Sequence, residues 1–285
     1  MATVLIQILI SIILLFCLFQ VIVSLSMRLF DRKVKREIKA LFQYQGEIPW
    51  RAISKDDLKK QPPSVQKWMI SAGVVGKERI NTAWISQEGT MKTEEGKAWM
   101  PFMAEYYYTL DKPGFVWYTR VQAAPLVFLI GRDKLFKGQG SMLIKLFSLI
   151  TVANSKGPEI NQGALLRFLA EIMWFPTAAL NEYISWEQLD DNSAQATIKV
   201  GDVTASGIFT FNEDGMPVEF KAQRYMSKNK GYSLETWKAA ARDFNVSNGI
   251  MTPTYVEVTW ELPEGDYTWF KANNLYVFFN LDAKW

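Results

Sequence analysis

The chain contains no histidine, and its single cysteine, Cys17, lies inside a long apolar run. Without histidine there is no Ser–His–Asp triad, no Cys–His pair and no imidazole-liganded metal. Without a cysteine beyond that run, the rest of the chain has no thiolate nucleophile, zinc knuckle or intrachain disulfide. A P-loop, a Gly-x-Ser-x-Gly elbow and a His-Glu-x-x-His helix are also missing. Gly138-Gln139-Gly140 lacks the third glycine of a dinucleotide fingerprint and reads as a turn. Asp190-Asp191-Asn192 lacks the spacing and closing Glu of a calcium loop and reads as another. The formal net charge is only +3, and the basic excess follows the apolar run instead of striping the folded part. Nucleic-acid binding is therefore not expected, nor is any cofactor or metal.

What the chain does have is apolar mass. Its hydrophobic fraction is 49%, with 11 Trp, 11 Tyr and 18 Phe, a payload that disordered chains lack. There is no internal repeat and no low-complexity linker, which favours one domain over residues 50–285. Val4 to Ser26 carries no charge and few polar residues, namely Gln7, Ser11, Gln20, Ser24 and Ser26. About 20 such residues span a hydrocarbon core of ~30 Å, so residues 1–26 read as a transmembrane anchor in the lipid bilayer. The rival reading is a cleaved signal peptide ending near Ser24-Leu25-Ser26. Against it, no Lys or Arg precedes the run, which outlasts the usual apolar region of such peptides. Phe16 stands before Cys17 where a lipidated cysteine needs a small residue, so Cys17 reads as a lipid-facing filler.

After the anchor come Arg28, Arg32, Lys33, Lys35, Arg36 and Lys39 against Asp31 and Glu37. The positive-inside tendency puts this flank, and the domain behind it, on the cytoplasmic side. Residues 27–49 form a basic amphipathic juxtamembrane segment, helical over Met27 to Gln45. Met27, Phe30, Val34, Ile38, Leu41 and Phe42 recur at three- to four-residue spacing. Two readings stay open for this stripe: contact with anionic lipid, or packing on the domain. Gly46-Glu47-Ile48-Pro49 breaks the helix. Ser54 to Asp57 looks like an N-cap with an acidic first turn. Ser64 to Val75 predicts a short helix burying Val65, Trp68, Met69 and Ala72.

Beyond residue 79 the pattern turns to β. Ala194, Ala196, Ile198 and Val200 alternate with Gln195, Thr197 and Lys199, the period of a half-buried strand. Gly201-Asp202 and Asp214-Gly215 turn it into a three-stranded meander over Ser193 to Arg224. Pro113-Gly114 separates Phe102–Leu110 from Phe115–Val121, and Pro263 to Asp266 separates Thr254–Leu262 from Tyr267–Leu281. Leu275 to Phe279 is apolar on both faces and predicts cover on both sides. Met142 to Val152 fits a buried strand or an amphipathic helix. One helix interrupts the series, Gln162 to Trp174, with Leu165, Phe168, Leu169 and Ile172 on one face and Pro176 stopping it. Arg167 and Glu171, four apart, can pair along its surface.

The expected fold is mainly β (α+β), a curved antiparallel half-barrel sheet packed on that central helix behind the N-terminal helix and stalk. Most of Trp84, Trp99, Trp117, Trp174, Trp186, Trp237, Trp260 and Trp269 should be core, yet a sheet curled on a helix leaves hollows that bind apolar ligands.

Gly163 to Thr177 (GALLRFLAEIMWFPT), Trp99-Met100-Pro101-Phe102, Pro113 to Trp117 and Trp186 to Ala194 resemble an uncharacterised family of bacterial proteins with N-terminal membrane segments and a domain of unknown function. Arg167-x-x-x-Glu171-x-x-Trp174-x-Pro176-Thr177 is the most specific part. The resemblance implies no catalytic residues. The order of hairpins around a helix is also similar to the half-barrels of lipoprotein carriers, a likeness of fold and not of function. Such carriers work outside the cytoplasm, so an extracytoplasmic domain stays open beside the cytoplasmic one.

Three functions follow. The first is a membrane-anchored, non-enzymatic domain holding a lipid or another apolar ligand. Trp117, Phe128, Trp174, Phe175 and Trp186 would line the hollow, and Arg167, beside Glu171, or Arg224 would hold a polar head. The second is a structural or protein-interaction module with a solid core. The third is a hydrolase built on carboxylates drawn from Glu171, Glu187 and Asp190, which needs two of them facing across a cleft.

Overall fold

The computed structural model describes residues 1–45, 51–228 and 231–280. The expected helix break at Gly46 to Pro49, and Leu281 at the end of the last expected strand, lie outside these. Helix α1 (Ala2–Gln45) is a single rod of 44 residues. From Met1 to Ile22 every residue is exposed, and this part is long and apolar enough to cross a membrane. Farther along, Phe30, Val34, Ile38 and Leu41 turn inward and pack on Tyr107, Val116, Ile130 and Leu143. The stripe therefore lies on the domain, while the basic residues between its members stay exposed. Polar contacts lock the same face. Glu37 pairs with Arg132 at 3.1 Å and Lys134 at 3.2 Å, and the Tyr118 hydroxyl donates to Asp31 at 2.5 Å.

Two short helices follow, α2 (Lys55–Leu58) and α3 (Pro63–Ser71). Asp57 accepts both the Ser54 amide and its hydroxyl at 2.8 Å, which closes the cap the sequence announces. Val65, Trp68, Met69 and Ala72 are buried as their spacing predicts.

Among the described residues, thirteen strands form one antiparallel sheet. The first wing is β1 (Thr82–Met91), β2 (Met100–Thr109), β3 (Gly114–Ala124), β4 (Val127–Phe136), β5 (Gln139–Leu146) and β6 (Ile150–Ser155). Met142 to Val152 is thus two strands and a turn. The central helix α4 (Pro158–Glu171) then crosses to the far edge through two 3₁₀ turns, Ile172–Trp174 and Pro176–Leu180. It starts earlier than the apolar spacing suggests, and Pro176 opens the second turn after the α-helix has already ended. The second wing is β7 (Ile184–Asp190), β8 (Ser193–Val200), β9 (Val203–Phe211), β10 (Pro217–Lys228), β11 (Gly231–Ser247), β12 (Ile250–Leu262) and β13 (Gly265–Phe279). The spatial order runs from β6 back to β1, across to β13, and back to β7. Every neighbour in the sheet except the β1–β13 pair is a consecutive meander.

The sheet curls so that α4 packs on β4 and β5 of one wing and on β8, β9 and β10 of the other. Close approach at β5 needs Gly140: a Cβ there would stand 2.4 Å from the Ile160 carbonyl oxygen. α1 covers β2 and β3 from outside, so the middle of the first wing is buried on both faces. The expectation for Leu275 to Phe279 is corrected. Tyr276 and Phe278 are 61% and 41% exposed, because α1 does not extend over β13. Phe278 rests on its outer-face neighbour Trp84, with ring centroids 5.6 Å apart.

Candidate functional site

Alternation along β4 decides what enters the interior. Arg132 and Lys134 point outward to the Glu37 carboxylate of α1. Asp133 between them faces inward, paired across the sheet with Trp117 on one side and Met142 on the other. On α4 the four-residue spacing of Arg167 and Glu171 places both side chains on the face above Asp133. Arg167 holds the two carboxylates together, at 2.6 Å to Asp133 and 2.8 Å to Glu171. The pair expected along the surface is in fact buried, with side chains only 14% and 8% exposed. Tyr106 and Tyr108 complete it, donating to the two Glu171 oxygens at 2.8 and 3.0 Å. The Arg167 guanidinium also stacks over Trp117 at 4.9 Å and Tyr106 at 5.0 Å.

This cluster forms one wall of a cavity of about 220 Å³ between the concave face of the sheet and α4. The remainder is apolar, with Val256 and Val258 from the second wing and Met91, Met100, Val121 and Leu129 near the ends of β1 to β4. Burial pushes the Asp133 carboxyl up to about 6, although Arg224 and Arg132 favour its charge. Burial also raises Glu171, against the pull of Arg167 and the Tyr108 hydrogen bond. The Tyr108 phenol is pushed well above its ordinary value, first by burial and then by Glu171, so it stays a donor. Burial lowers Arg224 to about 10, leaving it cationic at neutral pH.

Of the residues named from sequence, Trp117, Arg167, Glu171, Trp174 and Arg224 meet in this cavity. Three do not line it. Phe175 is fully buried against Tyr108, with centroids 4.7 Å apart, because the 3₁₀ turn rotates it away from its neighbour Trp174. Trp186, half-buried on the edge strand of the second wing, packs on Phe209 at 5.2 Å and donates its indole N–H to the Ala179 carbonyl at 3.0 Å. Phe128 sits on the outer side near α1, under the Arg120 guanidinium at 4.3 Å. Sequence reasoning missed Asp133, Tyr106 and Tyr108, and counted Trp237 and Trp269 among the aromatics without assigning them to the hollow. The run Arg132-Asp133-Lys134 inside an apolar strand was the available signal, since three consecutive charges must put at least one on the inner face.

The carboxylate arrangement needed for hydrolysis does not form from the residues named for it. Glu171 is held by Arg167, and Asp190 sits in a turn, accepting from the Asn192 amide and the Ser193 hydroxyl at 2.8 and 2.6 Å. Among the described residues no group of three or more acidic or cysteine side chains could hold a metal ion.

A family model described as a family of unknown function, DUF6544, matches residues 51–272. The chain belongs to this family. The match takes in most of the sheet, all of α4 and the whole polar cluster of this DUF6544 member. No curated protein matches it in sequence. Two solved structures are similar in fold. One is a LolA superfamily protein from Nitrosomonas europaea, 11% identical, with a TM-score of 0.43 over 76% of this chain and 94% of that one. The other is a DUF1329 family protein from Desulfovibrio piger, 13% identical, with a TM-score of 0.42 over 76% and 92%.

Proposed function

We propose that this DUF6544 protein is a membrane-tethered, non-catalytic binding domain that holds the apolar chain of a lipid-like ligand between its sheet and α4. The observation that carries this reading is the cavity itself, apolar over most of its wall and sealed on one side by an ion cluster. A module with a solid core would have filled that space. Position supports the reading as well. The Met91, Met100 and Leu129 end of the cavity lies at the same strand ends that approach the apolar part of α1. There Phe19 meets Phe147 edge-on at 5.6 Å, and Ser26 donates to the Ser148 carbonyl at 2.7 Å. The nearby β3–β4 turn exposes Leu126 at 91%, and the edge strand β6 exposes Ile150 and Val152 at 61% and 59%, side chains suited to the boundary of a bilayer.

Native mass spectrometry of the full chain, extracted in a mild detergent, tests the reading. A mass increment matching an endogenous lipid should survive detergent removal, and a bare chain in every preparation would sink the idea. For sidedness, the basic flank of α1 favours the cytoplasm, with an extracytoplasmic domain as the alternative. Protease added to spheroplasts should leave the domain intact, and its digestion would reverse the assignment.

A further inference from the structure

The cavity wall is short of acceptors and long on donors. Two arginine side chains reach it, Arg167 and Arg224, while that of Arg132 turns outward. Arg132 donates to the Ser141 carbonyl and hydroxyl at 2.7 and 2.6 Å and pairs with Glu37. Arg167 is occupied by Asp133 and Glu171. Arg224 has neither a hydrogen bond nor a salt bridge among the described residues, and its Nε is shielded from solvent without an acceptor. Arg224 feels the charges of Asp133 and Glu171 without bonding to either, and it is held by stacking: its guanidinium lies 5.0 Å from the Trp237 ring and 5.9 Å from the Trp260 ring. It also rests against Gly163 of α4, where a Cβ would come 3.3 Å from the Nε. The indole N–H groups of Trp117, Trp174, Trp237 and Trp269 are likewise buried without an acceptor. Both carboxylates of the wall are already engaged. A half-buried guanidinium with a shielded, unanswered Nε beside unanswered indole donors gains from any ligand that brings acceptors to it.

We infer that the ligand is a single-chain amphiphile with an anionic head, a carboxylate or a phosphate monoester, and that Arg224 receives the head. The inference rests on the apolar-ligand reading above and names its ligand class. Size bears on the chain number. A volume of about 220 Å³ falls below the ~300–1,000 Å³ of pockets that enclose drug-sized ligands, which favours a single chain over a two-chain lipid. The chain runs from Arg224 along Val256 and Val258 towards Met91, Met100 and Leu129. A guanidinium fixed over indole rings presents its remaining N–H groups as a fork, which suits carboxylate and phosphate oxygens alike.

The test uses the tryptophans of the wall as reporters. The full chain is reconstituted in phosphatidylcholine vesicles and titrated with three brominated octadecyl chains, which quench indole fluorescence on contact. One ends in a carboxylate, one in a phosphate and one in a neutral alcohol. The two anions should half-saturate quenching at concentrations about tenfold below the alcohol. Whichever of the two is tighter identifies the head. Arg224→Met should erase that gap while leaving the alcohol curve in place, and Arg224→Lys should keep part of it. Partitioning into the vesicles is common to all three proteins, so the ratio reports the residue. Equal curves for anions and alcohol in the wild type, or a gap that survives in Arg224→Met, would overturn the assignment to Arg224 alone. Absence of saturable quenching by any of the three chains would overturn the apolar-ligand reading along with it. If Arg224→Met fails to fold, Gly163→Ala, which crowds the guanidinium from α4, should narrow the same gap, and an unchanged gap would count against the assignment.

Discussion

Replacing Arg167 by alanine should lower the stability of the domain by roughly 3–5 kcal/mol at neutral pH, the cost of removing one partner from a buried ionic cluster. The variant leaves Asp133 and Glu171 close together in a desolvated wall with no bound cation between them. Its pH dependence separates this cause from simple loss of packing. In the wild type the Asp133 carboxyl is already raised to about 6, above its unfolded value of 3.8. The folded state therefore binds the extra proton between those two values, and this group's contribution declines as pH rises through them. Without Arg167 both carboxyls should rise further, so the variant's deficit should grow with pH and shrink towards about pH 5, where protonated carboxyls need no counter-charge. Urea titrations of the full chain in a neutral detergent, at several pH values, give both quantities. A loss below about 1 kcal/mol, the worth of an exposed pair, would mean that water screens the cluster.

Trp68→Ala should cost a similar amount, about 3–5 kcal/mol for deleting a large buried aromatic, but with a different signature. Trp68 is fully buried and leans on Phe209, Phe211 and Trp186, with centroids 6.0, 5.9 and 6.3 Å away. That stack pins α3 to the second wing, well away from the cavity lining. The urea midpoint should fall with no pH dependence across the range where Asp133 titrates. Affinity for a brominated chain, measured where the variant is still folded, should match the wild type. Weaker binding in step with the lost stability would mean that wing and cavity are mechanically coupled.

Where a strand has one dry face and one wet face, its sequence says so. The Ser193 to Arg224 meander and the Phe102 and Thr254 hairpins are legible for that reason, and α4 is legible by its apolar run, although the two wings bury it nearly all round from Gly163 to Glu171. Legibility fails where a second layer intervenes. Val116, Ile130 and Leu143 point away from the main core yet are buried beneath α1, which erases the alternation around them and blurs Met142 to Val152. The reverse occurs in β13, where Tyr276 and Phe278 are apolar in sequence but uncovered in the fold. Half of the cavity's polar wall was within reach, since Arg167 and Glu171 are one helical turn apart. Their partner Asp133 lies 34 residues before Arg167 on another element, and no local period encodes such a distance. Trp186 and Phe175 were reasonable aromatic candidates that the cross-sheet stack and the 3₁₀ turn assigned to the core.

The register of β1 with β13 brings Trp84 opposite Phe278 and Gly89 opposite Ala272. The first and last strands of the sheet in chain order therefore share its central seam. Until β13 arrives, a nascent chain carries β1 and β12 as open edges, and each half-sheet shows the other an unfinished aromatic interior. Such edges invite foreign strands, and pairing of this sequence separation is slow to form. A message truncated ahead of β13 should yield aggregate or a chaperone-held chain in place of a smaller working domain.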